Sequence, residues 1–187
     1  MPTDRPRVET GTSRSGSPDR LQGVTAKIPF ELVVERYGAT VLRVCRAVLG
    51  PHDAQDAWSE TFLAALRAFP DLDPGANVEA WLVTIAHRKA VDVLRARARV
   101  TPVAEPPDGV SADRADGRDL DLWAALGELA DKQRAVVAYH YLGGLAYREV
   151  AQIVGGSEAA ARRAASDGVA ALRRALEGRA RVQGGVA

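Results

Sequence analysis

From Phe30 onward apolar side chains recur at steps of three and four. Phe30, Val33, Val34, Tyr37, Val41, Val44, Cys45 and Val48 fall on one face of a helix. Gly50-Pro51 predicts its stop. A second helix is expected to start with Asp53 as N-cap and to carry Ala54, Ala57, Trp58, Phe62, Ala65, Leu66 and Phe69 on its apolar side. Residues 70–77 read as a loop from their Pro, Gly and Asp content. Asn77 is placed to cap a third helix with an inner face of Val78, Trp81, Leu82, Ile85 and Ala86.

The periodicity then lapses. Residues 101–118 hold three prolines, two glycines and a net charge of −2 (Glu105, Asp108, Asp113 and Asp116 against Arg114 and Arg118). Helical patterning resumes near Leu120. Leu122, Leu126 and Leu129 mark a short helix, and Asp131 is expected to cap another that runs through Val136 and Val137 to Gly143-Gly144. Two more follow, at 147–154 and from 158 to about 179, separated by Gly155-Gly156-Ser157. The fold expected is all-α: two small helical domains, at 28–100 and 120–180, joined by a flexible acidic linker at 101–119. A disordered tail is expected at 1–27 and a short one at 181–187. No internal repeat is visible.

Composition supports this picture. Alanine, leucine and arginine lose little on entering a helix, and they dominate the 187 residues. The net charge is only +1, so nucleic-acid binding has to come from local basic faces and not from bulk charge. A single cysteine, Cys45, cannot form an internal disulfide, which fits a reducing cytoplasm, and its apolar setting reads as core. Residues 1–27 lack the apolar stretch of a signal peptide, and nothing approaches the roughly 18 apolar residues of a membrane span.

Two stretches carry candidate chemistry. On the third helix Arg88, Asp92, Arg95 and Arg99 share a face, flanked by Lys89 and Arg97. Residues 86–99 hold five basic and one acidic side chain. A helix packed on one side and basic on the other suits phosphate tracking; a merely solvated face is the bland alternative. Residues 147–176 read helix, tight turn, helix. Ala151 and Gly155 are small enough for two helices to cross closely, and Ser157 is placed to cap the second. Arg162 and Arg163 then sit where a recognition helix reaches phosphate or guanine; an ordinary helical hairpin is the alternative. The histidines, His52, His87 and His140, are scattered. His87 reads as polar surface, Asp53 and Asp56 as helix-start residues, and no nucleophile, metal set or phosphate-binding loop assembles, so no enzyme and no cofactor is expected.

At these residues the chain resembles the extracytoplasmic-function group of bacterial RNA polymerase sigma factors. Residues 53–63 (Asp-Ala-Gln-Asp-Ala-Trp-Ser-Glu-Thr-Phe-Leu) are similar to the acidic second helix of that family's region 2. Residues 80–95, from Ala-Trp-Leu-Val-Thr-Ile-Ala through His-Arg-Lys, are similar to its promoter-reading helix. Residues 126–134, 144–151 and Leu172-Arg173 resemble region 4. The match spans roughly 29–99 and 120–177. It implies a sigma factor without catalysis of its own. Asp53, Asp56 and Glu60 would dock on the clamp helices of core RNA polymerase. Asn77, with its loop, would receive a flipped −10 base. His87, Arg88, Lys89, Asp92, Arg95 and Arg99 would hold the melted strand. Region 4 would bind the polymerase flap and present Ser157, Glu158, Arg162, Arg163 and Ser166 to the −35 element. An anti-sigma factor is a further partner of such proteins.

The chain departs from the family at several points. His87-Arg88 stands for the usual Arg-Asn, and Ala159-Ala160-Ala161-Arg162-Arg163-Ala164 for Gly-Thr-Val-Lys-Ser-Arg. Asp167 replaces a common arginine, Gly168 interrupts a helix, and Ala146 replaces a Ser or Thr cap. Two other readings stay open here: a sigma-like helix-turn-helix regulator that does not melt promoters, and a helical protein–protein module.

Overall fold

The computed structural model describes residues 28–99 and 117–184. The expected tail at 1–27, most of the expected linker at 101–119, and residues 185–187 lie outside the described residues. Every regular element among the described residues is helical. Helices α1 (Phe30–Leu49), α2 (Pro51–Ala68) and α3 (Val78–Arg99) make the first half, with a 3-10 turn at Phe69–Asp71. The second half is α4 (Gly117–Gly127), α5 (Asp131–Val137), a π turn (Ala138–Leu142), α6 (Tyr147–Val154) and α7 (Glu158–Gly184). Helix α4 thus begins three residues before Leu120, and α7 continues past Arg179.

In the first half the predicted apolar stripes meet. Val33, Val41, Val44, Cys45 and Val48 of α1 are buried with Ala54, Ala57, Phe62 and Ala65 of α2 and Leu82, Val83, Ala86 and Ala90 of α3. Gly38 admits the Trp58 ring against α1, and the indole N–H donates to the Gly38 carbonyl at 2.9 Å. Phe30 lies edge-on to Phe62 and Phe69, centroids 6.3 and 5.3 Å away, closing the open end of the three helices.

Two expected caps are not caps. Helix α2 starts at Pro51, ahead of Asp53, because proline's missing N–H is no loss in a first turn; its N-cap is Gly50, without a side-chain bond. Asp53 falls inside the first turn and pairs with Arg97 instead. Likewise Ala130 is the N-cap of α5, and Asp131 bonds Arg134. Asn77 and Ser157 do cap: the Ala80 N–H donates to Asn77 Oδ1 at 3.1 Å and the Ala160 N–H to Ser157 Oγ at 3.2 Å.

The second half closes around Leu126, Leu129, Val136, Tyr139, Leu145, Val150, Ala161 and Ala165, all buried. Its turn between α6 and α7 depends on Gly155 and Gly156 at φ +76° and +114°, a region that side chains other than glycine rarely adopt. Gly155 makes no close approach, contrary to expectation: a Cβ there would meet nothing within 4 Å. The close approach is at Gly168, where a Cβ would lie 2.8 Å from Val137 Cγ2 of α5. Its cost in helix propensity is therefore the condition for packing α7 on α5.

The two halves also pack on one another. Their buried residues form one continuous cluster, with α1 against α4, α5 and the π turn, and α3 against α6. Tyr139, fully buried, lies beside Cys45 at this seam. Burial pushes the Cys45 thiol up to about 12, so it is an inert core residue as its setting predicted.

Candidate nucleic-acid interface

Helix α3 buries Leu82, Val83, Ala86 and Ala90, which turns Arg88, Asp92, Arg95 and Arg99 to solvent together. The two flanking cations behave differently. Lys89 reaches back to Glu60 of α2 at 3.2 Å, and Arg97 pairs with Asp53 while also donating to the Leu49 carbonyl at 3.2 Å. Three of the five basic residues counted in this stretch thus face outward around one aspartate. Of the three acidic residues assigned to a polymerase-facing surface, Asp53 and Glu60 are engaged with α3, and Asp56 is exposed. These ion pairs are partly solvated and stabilise by no more than about 1 kcal/mol each. Their effect is to set the rotation of α3 on α2, and so the direction of the arginine stripe.

His87 is half-buried and is not the plain surface side chain the sequence suggested. Its Nδ1 lies 2.7 Å from the Tyr139 hydroxyl, and the rings meet edge-on with centroids 5.6 Å apart. Burial, followed by the positive charge of Arg88, lowers its pKa below the ordinary histidine value. Burial, with a smaller contribution from Cys45, raises that of Tyr139.

Asn77 uses both ends of its amide. Oδ1 caps α3, and Nδ2 donates to Glu149 Oε1 of α6 at 2.8 Å. The other oxygen of Glu149 accepts from the Ala146 N–H at 2.9 Å. Glu149 therefore supplies one half of a capping box from the N3 position, while the half that a Ser or Thr hydroxyl at 146 would supply is missing.

On α7, Glu158, Arg162, Arg163, Ser166 and Asp167 are exposed and line an open, shallow groove with Ala159. Within it Arg162 is partnered twice, by Glu158 and by the Tyr147 ring, 5.1 Å from guanidinium carbon to centroid. His140 also stacks on Tyr147, ring centroids 3.8 Å apart, with its Nδ1 2.7 Å from the Leu145 carbonyl oxygen. Ser157 spends its hydroxyl on the cap. Arg163 and Ser166 stand on the same exposed surface, and Asp167 puts a negative charge beside them.

Sequence reasoning missed Tyr139 and Glu149. Glu149 had a signal, an acid three residues after a helix start. Tyr139 had none, since its partner lies 52 positions away. Among the described residues no three His, Cys, Asp or Glu side chains are grouped as metal ligands would be, and no helix is long and apolar enough to cross a membrane.

Residues 33–100 match the family described as Sigma-70 region 2, and residues 119–172 that described as Sigma-70, region 4. The ECF RNA polymerase sigma factor SigE of Mycolicibacterium smegmatis is 29% identical over 169 residues, which cover 82% of this chain and 64% of that protein. The RNA polymerase sigma factor CarQ of Myxococcus xanthus is 32% identical over 129 residues, covering 66% of this chain and 74% of CarQ. In fold, the chain is similar to the sigma factor RpoE solved in complex with the anti-sigma factor NepR from Bartonella quintana: TM-score 0.65, 22% identity, 79% of this chain and 96% of that one. The outward arginines of α3, the glycine turn before α7 and matches to both regions in their order along one chain lead to one assignment: this chain belongs to the sigma-70 family, in its extracytoplasmic-function group.

Proposed function

We propose that the chain joins core RNA polymerase, recognises −35 and −10 promoter elements and promotes DNA melting, working by binding alone and in the cytoplasm. The observation that carries this reading is the pairing of two DNA-suited surfaces in one chain. One is the outward face of α3, with Arg88, Asp92, Arg95 and Arg99. The other is the exposed start of α7, with Arg162 and Arg163, behind a two-glycine turn.

Melting needs no covalent step. A protein opens DNA by binding the unpaired state better than the duplex, and extruding one base costs a few kcal/mol. Phosphate contacts from Arg88, Arg95 and Arg99 and a pocket for the base near Asn77 would offset that cost, with His87 and Lys89 at its edge. Asp56 faces solvent on α2, where the clamp helices would dock, with Asp53 and Glu60 orienting α3 behind it. Glu158, Arg162, Arg163, Ser157 and Ser166 would meet the −35 duplex through a major groove. An anti-sigma factor is a fitting regulator, as the structurally similar RpoE was solved with one.

Run-off transcription with core polymerase and fragmented genomic DNA tests the reading. Transcripts that depend on this chain are expected and would carry its promoter motif. Stable core binding without transcripts would favour a sigma-like regulator that does not melt DNA; failure to bind core would leave only the shared fold.

A further inference from the structure

Helix α7 carries two acids in its first three turns, Glu158 and Asp167, and they behave differently. Glu158 pairs with Arg162, four residues on. Asp167 has Arg163 four residues before it, yet among the described residues neither of these two has an ion pair or a side-chain hydrogen bond. Order explains the difference, since at this spacing the acid pairs better when it precedes the base. The fold then fixes where the free carboxylate points. Ala161, Ala165 and Gly168 are buried, Gly168 against Val137 of α5. Successive residues of a helix turn by about 100°. Asp167 therefore leaves the axis on the outward side, where it lines the open groove together with Arg163 and Ser166.

The same side of the helix is otherwise small: Ala159 and Ala160 are exposed. The helix can thus lie close enough to a surface for a side chain as short as aspartate to touch it. A free carboxylate on a face that meets DNA has few places to sit. Beside phosphates it is repelled, and it releases no counterion. Over a base edge it needs a donor. In the major groove guanine shows acceptors, thymine an acceptor and a methyl group, and adenine a donor beside its N7 acceptor. Cytosine offers an amino donor with no acceptor on the same edge.

We propose, resting on the reading above, that Asp167 is a specificity-determining residue, whose carboxylate accepts a hydrogen bond from the N4 amino group of a cytosine in the −35 duplex. Arg163, about 6 Å away along the axis, supplies a phosphate grip that offsets the cost of bringing an acid there. Asp167 exchanges affinity for selectivity: it weakens binding to duplexes in general and spares those with cytosine at one position.

Two substitutions at this position separate the possibilities. Asp167→Asn is nearly isosteric, and its amide both donates and accepts, which matches the N6 and N7 of adenine in place of cytosine. Asp167→Ala removes the contact. The residue is exposed, so both full chains should keep the wild-type melting temperature. A promoter obtained by run-off transcription is taken and its −35 segment randomised. The duplexes retained by core polymerase carrying each chain are then sequenced. With the wild type, cytosine should be enriched roughly tenfold at one position, the scale of a single good base contact. Asp167→Asn should move that preference to adenine at the same position. Asp167→Ala should select no base there, and should bind a duplex of unrelated sequence more tightly than the wild type, since a charge that repels phosphate is gone. A wild type that enriches no cytosine would overturn the proposal, and so would a cytosine preference that survives Asp167→Ala. Tighter binding by Asp167→Ala with an unchanged motif would reduce Asp167 to a repulsive charge and overturn it as well. If no promoter depends on this chain, the sigma-factor reading itself fails and takes the proposal with it.

Discussion

Gly168 of α7 and Val137 of α5 stand so close that a methyl group on the glycine would come within 2.8 Å of Val137 Cγ2. Gln133 crowds the same spot from 3.6 Å. Replacing Gly168 by alanine should gain about 0.5–1 kcal/mol in helix propensity and lose about 1–3 kcal/mol to overpacking. The net expectation is a lower melting temperature for Gly168→Ala, read by circular dichroism. An increase would mean that α5 and α7 part at no cost.

The arginine stripe should act unevenly. Arg88→Ala is expected to weaken promoter opening, followed by permanganate reactivity of unpaired thymines, while core binding is retained. Lys89→Ala should do much less, because Lys89 is already tied to Glu60. The doubly substituted chain should therefore resemble Arg88→Ala; opening that survives both changes would remove this stripe from the melted-strand site.

On α7, Arg162 and Arg163 differ in their prior commitments. Arg163→Ala should reduce the salt dependence of upstream duplex binding by about one unit of slope, as loss of a phosphate contact does. Arg162→Ala should lower affinity less, since Glu158 and the Tyr147 ring compete for its guanidinium. An unaltered slope for the pair would place neither arginine at DNA.

Two acids on α2 separate docking from folding. Asp56→Lys should weaken association with core polymerase and leave thermal stability unchanged, since the residue is exposed. Asp53→Ala should lower stability by up to about 1 kcal/mol, because it releases Arg97. Equal effects of both on core affinity would return Asp53 to the docking surface.

Acidification should lower the stability of the fold. His87 has a lowered pKa in the folded chain, so as pH falls below the ordinary value near 6.5 the unfolded chain takes up a proton that the folded one resists. Stability attributable to this site is present above that value and is lost as pH drops toward the lowered one. Unfolding midpoints in urea between pH 7.5 and 5.5 should fall for the wild type and fall less for His87→Gln. The same slope in both would assign the pH response to other groups.

Much of this molecule was legible before any coordinates. The 3.6-residue periodicity located α1, α2, α3, α6 and the start of α7, because a helix that must bury one face records that need in its own spacing. The caps at Asn77 and Ser157 were legible too, since each bonds an N–H three residues away. Asp53 and Asp131 were misread for a related reason: an acid near a helix start is favoured by the helix dipole whether or not it is the cap; Pro51 was the sign that α2 begins earlier, and Ala130 leaves none before α5.

By itself, then, the amino-acid order determined that the chain is helical, where its two arginine-bearing surfaces lie, and which side chains could be charged on each. Those are properties of neighbours three or four positions apart. Which charges remain outward was decided only when the helices packed, because Lys89 and Arg97 find partners 29 and 44 residues away and Arg88, Arg95 and Arg99 do not turn toward α2. The need for Gly168 arose in the same way, from a valine on another helix. So did the closure of Glu149 on Asn77 and of Tyr139 on His87, across 72 and 52 positions. Local spacing carries no record of such distant pairs, since their geometry exists only once the halves have buried their common apolar surface.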